Sequence, residues 1–243
     1  FATLRVVLYV FGPKLARECG GATILAWMAV ATILISSLIA LKKDNLKARL
    51  AFSTIGQLSY IVLGIAILSP LSTAGALYHL VAHAFMKITL FMCAGAIFVT
   101  THKKDISEMV GLGRRMPVTM SAFTIASLGI AGFPFFVGFV SKANIIMGAL
   151  KTGQLLFGAT LIVSAVLALT YLMPVVLITF KREPVNPEFN TYGEASKTML
   201  VPLLITATVS VILGVAPNFG LHLLDLAMST GEAVFAHVGG VIC

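Results

Sequence analysis

The sequence predicts an all-α protein, a polytopic bundle of transmembrane helices in which one helix is broken. Its 243 residues are 58% hydrophobic and 11% charged, whereas soluble domains are about 45–50% apolar and about 25% charged. Several apolar runs reach the roughly 20 residues that a membrane-spanning helix needs. This composition excludes an ordinary soluble globule and a disordered chain. We assign the net charge of +8 to short loops that meet lipid headgroups and not to a nucleic-acid surface.

Five segments are predicted to form the main helices. Residues 20–41 form an uncharged span, residues 50–69 form a second, and Ser69-Pro70 is typical of an N-cap followed by proline at the first helical position. The third helix, residues 71–101, is long enough to tilt or to project from the bilayer. Further spans are expected at residues 153–180 and 198–216. Residues 217–237 have an apolar stripe but carry two acids, so we expect them to form an interfacial helix.

The first residues of the chain and its cysteines give little further information about function. Residues 1–12 resemble the end of a helix, with no signal-peptide pattern, so we expect a fragment that begins partway through a span. The three cysteines, Cys19, Cys93 and Cys243, are scattered and form no disulfide framework.

Residues 117–150 allow two threadings. GFPFFVGFVSK (132–142) places glycine and proline at membrane depth, which indicates an interrupted helix. The stretch is either one long broken helix or two short crossings of about 17 residues each. One crossing places loop 181–197 beside loops 42–49 and 102–115, and two crossings place it opposite them.

Lysine and arginine counts predict the orientation. Loops 42–49 and 102–115 contain eight of these residues, and the loops at 12–19 and 69–71 contain two. The side with eight is expected to be cytoplasmic. A single crossing of 117–150 gives the stronger charge bias.

The third helix carries ionisable residues that a bilayer disfavours. In ALYHLVAHAFMKITLF, the residues His79, His83 and Lys87 are spaced i, i+4, i+8, so they form one stripe about 12 Å long. Each costs about 2.5–3.5 kcal/mol at a helix centre. The alternatives are packing histidines with a snorkelling lysine, a metal bound by the histidine pair, or haem ligation. Neither a third metal ligand nor an opposing axial ligand is visible, so we expect no metal and no cofactor.

Lys142 is a second candidate, because it directly follows the predicted break. A cation there can face freed carbonyls, a helix C-terminus or water. The alternative is a lysine at the membrane surface. Polar residues that could support the two lysines are Ser53, Thr54, Gln57 and Ser141.

No predicted span contains a carboxylate. All nine acids lie in loops, in the last helix or at its edges. Lys87 and Lys142 therefore have no acidic partner in these spans. Either another segment or subunit supplies one, or the cost of burial makes the neutral lysine accessible. Since histidine titrates near neutral pH, this pattern favours a proton relay through His79, His83, Lys87 and Lys142.

Three stretches resemble the antiporter-like membrane subunits. DNLKARLAFSTIGQLSYI, ALYHLVAHAFMKITLFMCAGAI and GIAGFPFFVGFVSK occur in the same order in the large Mrp-type Na⁺/H⁺ antiporter subunits, in the proton-pumping subunits of NADH–quinone oxidoreductase and in related hydrogenase subunits. The resemblance covers residues 1–182, and LRVVLYVFG with LIALKKDNLKARLAFSTIGQLSYI resembles the D-type Mrp subunit and its relatives.

The resemblance implies a fold of about fourteen helices in two inverted repeats, each with a broken helix. The chain would be the second repeat (1–182, truncated at its N-terminus) with a tail (183–243) of one loop, one span and an interfacial helix. His79, His83 and Lys87 would line the central hydrophilic axis of the bundle. Lys142 would be the lysine of the second broken helix, near the exit of the half-channel. By this resemblance 117–150 makes two crossings, and the first repeat supplies the glutamate–lysine pair that drives the relay, so this fragment alone should not transport.

The resemblance also implies a function, that of a proton-translocating, cation/proton antiporter-type membrane subunit of a multi-subunit complex. Expected partners are other membrane subunits of an Mrp-type or complex I-like assembly, the lipid bilayer, and protons with Na⁺ as a second candidate ion, without nucleic acid or a redox cofactor. The expected location is a bacterial or archaeal plasma membrane. Electron transfer would belong to other subunits. Two alternatives to a proton-translocating subunit are a non-conducting membrane anchor of a redox complex and a haem-carrying oxidoreductase.

Overall fold

A computed structural model describes residues 2–181, 183–184 and 186–239, and Cys243 lies outside that part. The described residues form helices and one isolated β-bridge. The elements in chain order are α1 (Ala2–Leu4), a π-helix (Arg5–Val10), α2 (Gly12–Glu18), α3 (Gly21–Lys42), α4 (Leu46–Ala66), α5 (Pro70–Thr101), a 3-10 helix (Ile106–Met109), α6 (Leu112–Arg115), α7 (Pro117–Ala131), α8 (Val137–Lys151), α9 (Leu155–Lys181), a 3-10 helix (Pro187–Asn190), α10 (Lys197–Val215) and α11 (Leu223–Gly239).

Five of the described helices, α3, α4, α5, α9 and α10, are long and apolar enough to cross a membrane. The expected all-α polytopic bundle is thus confirmed. The second span begins earlier than predicted, at Leu46, because the Asn45 side chain accepts a hydrogen bond from the Ala48 N–H (3.1 Å) and caps the helix. Ser69 occupies the N-cap position of α5, but its side chain makes no capping bond. Pro70 reduces the need for one, since it has no N–H to satisfy.

Helix α5 is the centre of the bundle and is surrounded by α4, α7, α8, α10 and α11. Helix α10 runs antiparallel to it, because Tyr78 on α5 donates to the Leu213 carbonyl (2.7 Å) while Thr89 bonds Thr206 (2.8 Å). Helix α11 packs against the first turns of α5, where Gly231 lies close to the Pro70 carbonyl. The interfacial position expected for α11 stays a prediction.

Helices α7 and α8 together make a single broken crossing. Each has 15 residues and is about 22 Å long, shorter than the roughly 30 Å hydrocarbon core. Their contacts with α5 follow one continuous, antiparallel order: Cys93 with Thr119, Met86 with Gly129, His79 with Ser141, and Ser72 with Gly148. The expectation of two crossings, taken from the resemblance, is therefore wrong. The chain does not reverse direction at residues 132–136, as two crossings would require.

A single crossing brings the charged loops to one end of the bundle. Asn45 and Asp105 form the isolated bridge, the Gly111 N–H donates to the Ile178 carbonyl (3.2 Å), and Arg115 donates to the Glu188 carbonyl (2.7 Å). We call this end, formed by residues 42–49, 102–116 and 186–196, the basic end. It contains the lysine-rich and arginine-rich loops used to predict the cytoplasmic side.

Candidate functional site

The predicted stripe on α5 is buried along its whole length. His79, His83 and Lys87 are 0%, 7% and 5% exposed. The two imidazole rings are stacked, with centroids 6.2 Å apart. Lys87 lies near the middle of the 32-residue helix, so its ammonium group is directed into the bundle and not to either surface.

Lys87 is held where α4, α5 and α9 meet. Its Nζ donates to Ser53 Oγ (2.8 Å) and to the Leu50 carbonyl (3.1 Å). The Tyr171 hydroxyl on α9 donates to the same Ser53 Oγ (2.8 Å). One serine oxygen therefore joins a lysine on α5 to a phenol on α9.

His79 is connected to the broken crossing through Ser141. Its Nδ1 lies 2.7 Å from Ser141 Oγ. Ser141 Oγ also lies 3.0 Å from the Gly138 carbonyl. When the serine donates its proton to that carbonyl, its oxygen accepts from an Nδ1–H of His79. His79 Nε2 is buried and without a partner among the described residues.

The break between α7 and α8 leaves free carbonyls at the end of α7, close to the Lys142 side chain. Helix α7 ends at Ala131, with Gly132 in the left-handed region (φ +85°). The last carbonyls of a helix have no intrahelical donor and form the negative end of its dipole. Lys142 Nζ donates to one of them, the carbonyl of Ile130. Lys142 is therefore buried beside a carbonyl that the helix break leaves free, which is one of the surroundings expected for it.

Tyr60 links Lys142 to the histidines. Lys142 Nζ lies 4.9 Å from the centroid of the Tyr60 ring, and the same ring stacks on His79 with a centroid distance of 5.6 Å. Gln57 lies between Ser53 and Tyr60 on the same face of α4, and its Oε1 is buried without a partner among the described residues. The printed contacts form two groups, Lys142, Tyr60, His79 and His83 with Ser141, and Lys87 with Ser53 and Tyr171. Together with Gln57 we call them the polar row: Lys142, Ser141, Tyr60, His79, His83, Gln57, Lys87, Ser53 and Tyr171.

Most of the predicted residues lie in the polar row, but Thr54 does not. It is half-buried, and its hydroxyl donates to the Leu50 carbonyl of its own helix (2.9 Å). Sequence reasoning missed Tyr60 and Tyr171. Tyr60 lies seven residues after Ser53, on the same helical face, and this spacing could have identified it. Tyr171 gives no comparable sequence signal.

Charge in the polar row is not balanced by acids. The ion pairs among the described residues, Lys103–Glu108 and His222–Asp225, lie outside it. In the same part of the chain, no cluster of three or more His, Cys, Asp or Glu side chains is placed to hold a metal ion. The row therefore consists of two cations, two imidazoles and neutral hydroxyl or amide groups.

Residues 6–173 match the family described as NADH:quinone oxidoreductase/Mrp antiporter, TM. NADH-quinone oxidoreductase subunit N of Desulforudis audaxviator is 36% identical over 202 residues, which cover 79% of this chain and 40% of that protein. Among solved structures, the Mrp complex from Dietzia contains a chain with a TM-score of 0.83 at 22% identity, covering 94% of this chain and 51% of that one.

Respiratory complex I from Thermus thermophilus gives a TM-score of 0.82 at 20% identity, covering 96% of this chain and 49% of that chain. The chain spans 40% of the curated relative and about half of each solved chain. At these identities the two solved structures support the fold, and the family match includes every residue of the polar row. The chain therefore belongs to the NADH:quinone oxidoreductase/Mrp antiporter family of integral membrane subunits.

Proposed function

We propose that the chain is part of a proton-translocating, cation/proton antiporter-type subunit and that Lys87, His83, His79 and Lys142 carry the protons. The relatives named above are an oxidoreductase subunit and a component of an Mrp complex. Shared family membership supports a role as a membrane subunit of a larger assembly.

The observation that carries the proposal is the buried polar row, with its histidines and Lys87 on one face of α5. Its two lysines and two histidines are at most 7% exposed, and the spans around them contain no acid. A buried cation without an acidic partner is costly. This cost falls when the lysine releases its proton to a neighbour and becomes neutral. An arrangement that destabilises a permanently charged lysine therefore favours proton exchange.

The chemistry of each group suggests an order of transfer. Lys87 and Lys142 hold protons at the two ends of the row, and the histidines accept and release them between the ends. In the tautomer with Nδ1–H bonded to Ser141, His79 offers Nε2 as the acceptor. Ring centroids 6.2 Å apart are too distant for direct transfer, so a bridging water or a ring rotation is required between His79 and His83.

The tail, residues 183–243, is proposed to brace the conducting part, residues 1–182. Glu194 accepts hydrogen bonds from the Val118 N–H (2.6 Å) and Thr119 Oγ1 (2.7 Å), at the N-terminus of α7. An acid at this position is favourable for the helix dipole. The loop before α10 thereby fixes the start of the broken crossing.

The proposed setting is a bacterial or archaeal plasma membrane, with the basic end cytoplasmic and other membrane subunits of an Mrp-type or complex I-like assembly as partners. Protons are the transported ion, and Na⁺ is the candidate ion for exchange. Any redox chemistry would be carried out by other subunits.

The test uses the full-length protein in its complex, reconstituted in vesicles with a pH-sensitive dye. Lys87→Ala and Lys142→Ala are expected to abolish proton movement in assembled complex. Lys151→Ala is the matched control, because it removes an exposed lysine from the same helix as Lys142. Undiminished transport in both buried-lysine variants would contradict the relay and favour a non-conducting anchor.

A further inference from the structure

The basic end contains a small pocket whose rim is cationic and whose interior is apolar. It has a volume of about 60 Å³ and lies between the first turn of α4 and the last turn of α5. Lys47, Lys103 and Lys104 form the rim, and Leu46 and Met109 are among the apolar residues that line it. None of these residues belongs to the polar row.

Two of the rim lysines share one aromatic ring. The Nζ atoms of Lys47 and Lys104 lie 4.9 Å and 5.2 Å from the centroid of Phe98. A ring attracts each ammonium group, but it has no net charge and does not neutralise either one. Two like charges beside one ring create a local positive potential, which attracts an anion.

Nearby carboxylates do not supply that anion. All three acids of the two loops are engaged in other contacts, and in the described part of the chain neither Lys47 nor Lys104 forms an ion pair. Asp105 accepts from Asn45 (3.2 Å), Asp44 accepts from Ser107 (2.6 Å), and Glu108 pairs with Lys103 (3.4 Å).

The backbone holds the rim in place before any ligand binds. The Leu46 N–H donates to the Lys104 carbonyl (3.0 Å), and the Ile106 N–H donates to the Asp44 carbonyl (3.0 Å). These bonds join the start of α4 and the residues just before it to the segment after α5, so the backbone positions of Lys47 and Lys104 stay close. A preorganised site loses less entropy on binding.

We propose that this pocket binds the phosphate group of an anionic phospholipid. Its location at the ends of two predicted spans, α4 and α5, corresponds to headgroup depth. Lysines supply charge for the phosphate, and the apolar lining suits the adjoining glycerol and acyl carbons. A free phosphate would use the rim alone, so the lining favours the lipid as the source.

The test measures lipid binding to the full-length protein purified in its complex. Phosphatidylglycerol is added to delipidated complex in detergent, with phosphatidylcholine as the neutral comparison, and bound lipid is counted by native mass spectrometry. The double variant Lys47→Gln/Lys104→Gln is expected to bind phosphatidylglycerol about thirtyfold more weakly. Lys47→Arg/Lys104→Arg should retain binding, because arginine keeps both charges.

The matched control is Lys42→Gln/Lys43→Gln, which removes the same charge from the same end of the bundle, outside the pocket. Its affinity should change by less than about threefold, because these two lysines do not line the pocket and salt screens charges at a distance from the bound phosphate. Equal losses in the two double variants would overturn the site in favour of diffuse attraction. Equal binding of phosphatidylcholine, or displacement of the lipid by inorganic phosphate, would overturn the assignment to an anionic lipid.

Discussion

His79 Nδ1 lies 2.7 Å from Ser141 Oγ, so a histidine of the central helix is bonded to the residue directly before Lys142 on the broken crossing. Ser141 Oγ also lies 3.0 Å from the Gly138 carbonyl and can donate its proton there. With that donation, the serine oxygen favours the tautomer of His79 that carries its proton on Nδ1. Of the described contacts, the His79–Ser141 bond is the one that joins the α5 stripe to the broken helix by a hydrogen bond between side chains.

Ser141→Ala is expected to release this tautomer. Without the serine oxygen, nothing holds the proton on Nδ1, and the neutral ring should populate both tautomers. Nitrogen-15 chemical shifts of His79 in the full-length protein report the change, and proton transport should decrease with it. An unchanged tautomer in the alanine variant would show that Ser141 only fills space.

Ser53→Ala is expected to disturb Lys87 without unfolding α4. It removes the oxygen that accepts from both Lys87 and Tyr171, and losing these bonds should cost about 1–3 kcal/mol of stability. Proton movement should fall because the Lys87 ammonium keeps only the Leu50 carbonyl. Thermal unfolding and dye-based transport in the assembled complex measure the two effects.

Ser59→Ala is the matched control for that experiment. Ser59 lies on the same helix, but its hydroxyl donates to the Ile55 carbonyl of its own helix (3.0 Å). Transport should be unchanged in this variant. A loss equal to that of Ser53→Ala would indicate that α4 tolerates no serine deletion and that Ser53 has no special role.

The charged and apolar pattern was sufficient to predict the spans and the stripe of His79, His83 and Lys87, because helical spacing alone places those residues on one face. It could not settle the path of residues 117–150. Glycine and proline mark where a helix is interrupted, but the direction taken after the break depends on packing against α5. Tyr171 was not predictable either, since its role arises from the approach of α9 to Ser53 and not from any pattern along α9.

Gly138→Ala is expected to separate the two halves of the broken crossing. A Cβ on Gly138 would overlap the Gly129 carbonyl oxygen, and backbone atoms cannot move aside as a flexible side chain can. Overpacking typically costs about 1–3 kcal/mol, occasionally more, and this contact belongs at the upper end. Gly95→Ala is the control, because its Cβ meets nothing within 4 Å and alanine favours a helix. A lower melting temperature for both variants would contradict the specific role of the 129–138 contact.

The orientation of the bundle can be tested with a native cysteine. Cys19 is exposed after α2, at the end opposite the basic end, whereas Tyr192 is 73% exposed in the basic end. If the lysine-rich side is cytoplasmic, a membrane-impermeant maleimide should label Cys19 in intact cells. It should not label a Tyr192→Cys variant in which Cys19 is replaced by serine. Cys93 is buried and should stay unlabelled, and Cys243→Ser provides a background without the third thiol. Inverted vesicles should give the opposite pattern. Labelling of Tyr192→Cys from outside intact cells would place the basic end on the outer face, and the eight lysines and arginines of its two loops would then violate the positive-inside rule.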